Sequence, residues 1–176
     1  MGRNSLEMFH GQQSERCFKG LAERRGYTVI KTSPSIDMMR HVDFILTREE
    51  GEERFGVDIK ARKKASRQDD SYDDEHVWVE FHNVRGDPGW LYGGADKIAF
   101  EQADRFIVVN RVTLKEYCET TVVPFFVDNS REAIYKCRQR PNRKDVISLI
   151  PVADIIHPYS FTEEVEIWKK ELDKIP

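Results

Sequence analysis

The chain has 176 residues, of which 39% are hydrophobic and 34% charged, with a formal net charge of −3. That is apolar material for one compact domain over 1–176 and too little chain for two ordinary ones; the charge excludes a general polycation, so any nucleic-acid surface has to be local. Three cysteines without paired spacing (Cys17, Cys118, Cys137) argue against a disulfide framework or structural zinc and for a reducing, cytoplasmic setting. No apolar run reaches the length of a membrane span, and the N-terminal residues lack a signal-peptide core.

Ser5 to Arg25 reads as a helix closed by Gly26 as a left-handed cap, with Cys17, Phe18, Leu21 and Ala22 as its buried stripe and Glu15 at the stripe's edge. Tyr27–Lys31 predicts a strand, Thr32–Arg40 a loop, His41–Thr47 a second strand, and Glu49–Glu53 a hairpin turn into a third. The polar run Arg62–Glu75 is basic first and acidic after, a solvated loop or helix face. Val77–Phe81 alternates as a strand, Asn83–Gly94 is a structured loop with four glycines, and Asp104–Asn110 is an apolar, buried strand. Thr113–Glu119 predicts a short helix, Lys136–Lys144 a basic loop and Val146–Ile150 a strand. Ser160–Glu163 fits a capping box for a closing helix that stripes Phe161, Val165, Trp168 and Leu172. The class is α/β, a mixed sheet with flanking helices.

The chemistry concentrates in Phe55-Gly-Val-Asp-Ile-Lys60. Residues two apart on a strand share a face, so Phe55, Val57 and Ile59 enter a core while Gly56, Asp58 and Lys60 share the other side. A carboxylate and an ammonium on an otherwise apolar strand are costly unless something uses them, and a hydrolytic metal site could. An exposed edge-strand ion pair is the plain alternative. Asp43 stands one hairpin away and Glu15 on the helix before it; Glu15 can equally be an ordinary solvated helix residue.

The order Glu15, Asp43, Asp58-x-Lys60 resembles the PD-(D/E)XK nuclease superfamily, in the spacing of archaeal Holliday-junction resolvases and related phage enzymes. The resemblance covers about Gly11 to Lys64 well, and the rest only in element order. It implies a restriction-endonuclease-like fold, hydrolysis of DNA phosphodiesters, and catalytic residues Glu15, Asp43, Asp58 and Lys60. Asp43, Asp58 and Glu15 would hold Mg²⁺ or Mn²⁺, ions suited to oxygen-only ligation. DNA is then the expected partner and a homodimer is open.

Several residues read as DNA contacts: Arg62, Lys63, Lys64 and Arg67 beside Lys60, Arg85, and Trp90 and Tyr92 as flat stacking surfaces. Trp90 can instead pin its loop to the core. Ser33 lies where resolvase-like relatives hold a serine near the scissile phosphate, and a turn-forming role fits it as well. Glu80 is a candidate supporting ligand, Arg138, Arg140, Arg143 and Lys144 form a second basic patch, and His41 reads as a strand side chain. The rival class is a non-catalytic nucleic-acid-binding or assembly subunit that keeps a nuclease-like fold.

Overall fold

Helix α1 (Arg3–Arg24) ends where Gly26 takes φ +85°, a left-handed turn that suits a residue without Cβ. In the computed structural model, which describes residues 3–50, 52–64, 71–157 and 164–170, it leads into β1 (Thr28–Lys31), α2 (Pro34–Arg40), β2 (Phe44–Arg48) and β3 (Glu53–Lys60). Helix α2 corrects the expectation of a loop over 32–40. Ser33 caps it, its hydroxyl accepting from Ile36 N–H at 3.4 Å, and Pro34 sits in the first turn, where a missing N–H does no harm.

A short ribbon, β4 (Lys63–Lys64) and β5 (Tyr72–Asp73), then leads to β6 (His76–His82), a glycine-rich loop, β7 (Lys97–Glu101) and β8 (Arg105–Asn110). The chain continues through α3 (Arg111–Thr121), β9 (Val123–Phe126), β10 (Lys136–Cys137), β11 (Val146–Pro151), α4 (Val152–Ile156) and β12 (Val165–Lys169). Six strands form a mixed sheet in the order β1-β2-β3-β7-β8-β12, parallel only between β3 and β7. The α/β class expected from the pattern is the class observed.

The sheet's two faces are read off by alternation. On one, Phe44, Leu46, Phe55, Val57, Ile59, Phe106 and Val108 meet Phe18, Leu21 and Ala22 of α1. Phe18 stacks on Trp168 (5.1 Å, 6°) and meets Phe106 edge-on (5.2 Å). On the other face, Ile98, Phe100, Ile107 and Val109 pack under the antiparallel pair β6–β11, α3, α4 and the Trp90 turn. That cover is half strand, where flanking helices alone were expected.

Three further expectations change. Cys17 is exposed; over residues 8–24 the buried positions of α1 are Ser14, Phe18, Leu21 and Ala22, and Cys17 lies at their flank. Strand β7 was not anticipated at all. Residues 165–169 are a strand, not part of a closing helix, and pair with β8 from Val165↔Val109 to Lys169↔Arg105. Val165, Ile167 and Trp168 favour a pleated surface, and the free edge of β8 supplies the ladder that a helix would leave unpaired. The capping box at 160–163 and Leu172 lie outside the described residues. Among those residues no helix is long and apolar enough to cross a membrane.

Candidate active site

Strand β3 separates its side chains as its alternation requires: Val57 is fully buried against α1, and Asp58 and Lys60 face the β6–β11 side. Gly56 belongs to that side too. A Cβ there would stand 3.0 Å from Val42 Cγ1, and its N–H donates to Asp96 Oδ2 at 2.6 Å. Asp58 is 4% exposed and Asp43 8%. The edge-strand ion pair considered above is therefore not what the fold builds, because β3 is hydrogen-bonded on both sides, to β2 and to β7.

Asp43 joins Asp58 through a bulge-like step. Phe44 is in register with Val57, yet Asp43 N–H also donates to Val57 O at 2.9 Å, so two consecutive residues address one. The step turns the Asp43 carboxylate along β3, where Oδ2 accepts the Ile59 N–H at 2.7 Å. Lys60 Nζ approaches Asp58 Oδ2 to 2.7 Å and lies 4.8 Å from the Trp90 ring centre. The Asp58–Lys60 contact is a short ion pair on the buried oxygen, and the ammonium offsets part of the cost of burying that carboxylate.

Burial raises the carboxyl of Asp43 to about 7, and repulsion from Asp58 adds to it against the Ile59 hydrogen bond. Burial also pushes Asp58 up, opposed by Lys60. Glu80 belongs to the same neighbourhood: burial raises its carboxyl, with Lys60 and Arg140 pulling the other way and Asp58 pushing with it. His41 caps α2 in the left-handed region (φ 52°), and burial followed by the Lys60 charge lowers its pKa. It is a loop residue at the rim, not the strand side chain expected. Glu15 is held by Lys31, whose ammonium also feels Asp43. Among the described residues no three His, Cys, Asp or Glu side chains form a ready-made metal cage.

The expected DNA contacts scatter. Ser33 is spent on capping α2, as the turn-forming alternative had it. Trp90 is buried against Phe100 and forms the wall behind Lys60, so it offers no stacking face. Tyr92 is exposed with its hydroxyl donating to Glu119 at 3.0 Å, and Arg85 is exposed. Arg62 is clamped by Asp74 through Nε (2.9 Å) and Nη2 (2.6 Å), which removes it from the phosphate-binding set. Lys63 and Lys64 are exposed on β4, and Arg67 lies outside the described residues. In the second patch Arg140 pairs with the buried Asp145 and Arg138 donates to Asp128 O, leaving Arg143 and Lys144 at the surface.

Asp96 escaped the sequence reading. It replaces a ladder partner for Gly56, and its one legible signal is its place between Gly93-Gly94-Ala95 and the apolar run of β7. What the cluster offers chemically is two buried carboxylates, a lysine against an aromatic wall and a third carboxyl nearby. Compared with protein-family models, with curated proteins and with solved structures, the chain matches none of them.

Proposed function

We propose that this chain is an endonuclease that hydrolyses DNA phosphodiester bonds with a divalent cation, Mg²⁺ or Mn²⁺. The observation that carries the reading is the juxtaposition of Asp43 and Asp58, two buried carboxylates with like charge, beside Lys60. Two such groups in a low-dielectric site call for a cation between them. The donors are all hard oxygens, and Asp43 and Asp58 are buried close enough for one charge to act on the other, so the residues fit a divalent cation of this class. Asp43 and Asp58 would hold it, with Glu80 and Glu15 in supporting positions. Once bound, the cation would supply positive charge at the phosphate oxygens and acidify a water.

The chain's own residues supply the rest. The Ile59 N–H anchors Asp43, so that its second oxygen stays available. Lys60, fixed between Asp58 and the Trp90 ring, donates to the attacking water or to a phosphate oxygen and steadies charge as the P–O bond to the leaving oxygen breaks. Trp90, Val79 and Phe100 keep bulk water from the back of the site. The motif order that resembles PD-(D/E)XK nucleases supports the same reading.

The test is cleavage of duplex, branched and single-stranded DNA, with RNA alongside, in Mg²⁺ or Mn²⁺ and in EDTA. Metal-dependent cleavage that Asp58→Asn abolishes is the expected result. Binding of DNA without cleavage under every condition would refute the enzyme and leave the non-catalytic subunit.

A further inference from the structure

Beyond the carboxylate cluster, on the α1 side of the sheet, a cavity of about 560 Å³ opens between α1 and the ends of β3 and β7. That volume lies within the roughly 300–1,000 Å³ typical of small-molecule sites. One wall is a helical stripe, His10, Gln13, Ser14 and Cys17, with Arg16 beside it; the other holds Ala61, Arg62, Tyr72 and Glu101. Ala61 directly follows Lys60, and alternation puts the two on opposite faces of the sheet, so the opening and the carboxylate cluster sit on either side of the end of β3.

Its chemistry is specific. Ser14 is 1% exposed, and its hydroxyl has no hydrogen-bond partner although it lines the cavity. A buried orphan of this kind calls for a polar ligand. Arg16 is exposed, and among the described residues no carboxylate pairs with it. The one carboxylate on the wall, Glu101, is already neutralised: Lys170 Nζ stands 2.7 Å from Oε1, and Oε2 accepts the Arg62 N–H. Arg62 lies over the Tyr72 ring at 4.4 Å and is locked flat by its two bonds to Asp74. A fixed guanidinium plane on an aromatic ring is a surface on which nucleobases stack.

We propose that this cavity receives one nucleotide of a bound nucleic-acid strand, Arg16 taking its phosphate, the Arg62–Tyr72 stack its base, and Ser14 a polar edge. The identity of the occupant rests on the nuclease reading; the existence of the site does not.

Cys17 provides the assay, because it is the exposed cysteine on the cavity wall while Cys118 and Cys137 are buried. Burial raises its thiol pKa, so alkylation by iodoacetamide is followed in alkaline buffer, in EDTA, by mass spectrometry. Deoxynucleoside 5′-monophosphates should slow alkylation saturably, with inorganic phosphate or the free nucleoside several-fold weaker. Arg16→Ala should weaken the protection about tenfold, the scale of a charge-assisted contact. Gln13→Trp, at an exposed position on the wall, should abolish protection while leaving the fold intact. No protection, or equal protection by phosphate alone, overturns the nucleotide site, as does protection that survives both variants. Because EDTA suppresses cleavage, the two readings separate. Protection in a protein that never cleaves keeps the site and removes the nuclease; cleavage without protection does the reverse.

Discussion

Asp43→Asn removes a negative charge and keeps the oxygen that accepts the Ile59 N–H. The Asp43 carboxyl stands at about 7 in the fold against an ordinary 3.8, about three units, and each unit corresponds to about 1.4 kcal/mol. The sign follows from proton counting. Between these two values the native state keeps a proton that the unfolded chain has released, so stability falls as pH rises through the window, and the full loss is present above it. Without metal, the wild type should lose about 3 kcal/mol relative to Asp43→Asn between about pH 4.5 and about pH 8. The assay is urea denaturation of both proteins in EDTA across that range. Adding Mn²⁺ at the alkaline end should recover stability in the wild type alone. A stability difference that stays constant with pH, or equal recovery of both proteins by Mn²⁺, would refute the argument that two crowded, buried carboxylates await a cation.

Lys60→Ala should reduce cleavage by about a hundredfold or more while unfolding stays cooperative, since the apolar face of β3 is untouched; wild-type turnover in a DNA cleavage assay would remove the lysine from the mechanism. Gly89→Ala should lower stability by about 2–3 kcal/mol in calorimetry, because its Cβ would stand 2.4 Å from the carbonyl oxygen of Glu80. Phe18→Ala should lower it by about 3–5 kcal/mol, read by denaturant unfolding, through loss of the contacts with Trp168 and Phe106.

Alternation carried the part of the site that could be read in advance. Phe55, Val57 and Ile59 against Asp58 and Lys60 is a local pattern with period two, and a strand between two neighbours leaves it no other solution. What failed depends on distant partners. Residues 165–169 suit a helix or a strand by spacing, and only the free edge of β8, more than fifty residues earlier, decides for the strand. Ser33 and Pro34 carried a helix-start signal, but α2 buries no residue, so no apolar stripe announced it. Arg62 looks like a phosphate ligand until Asp74 is folded back onto it across the β4–β5 ribbon. The cavity was illegible because Ser14 and Arg62 belong to segments that meet only when α1 docks on the sheet.

The bulge-like step at Asp43 gives the Ile59 N–H an unusual acceptor, a side-chain carboxylate where a neighbouring strand would ordinarily offer a carbonyl. The amide of Ile59 is thereby wired to the charge on that carboxylate. A cation drawing on Asp43, or a proton arriving there, weakens the acceptor and moves this one amide resonance first, ahead of its neighbours on β3. In a ¹H–¹⁵N spectrum Ile59 becomes a built-in meter of site occupancy. With uniform ¹⁵N enrichment it reports without an attached probe, a substrate or a substitution at the carboxylates themselves.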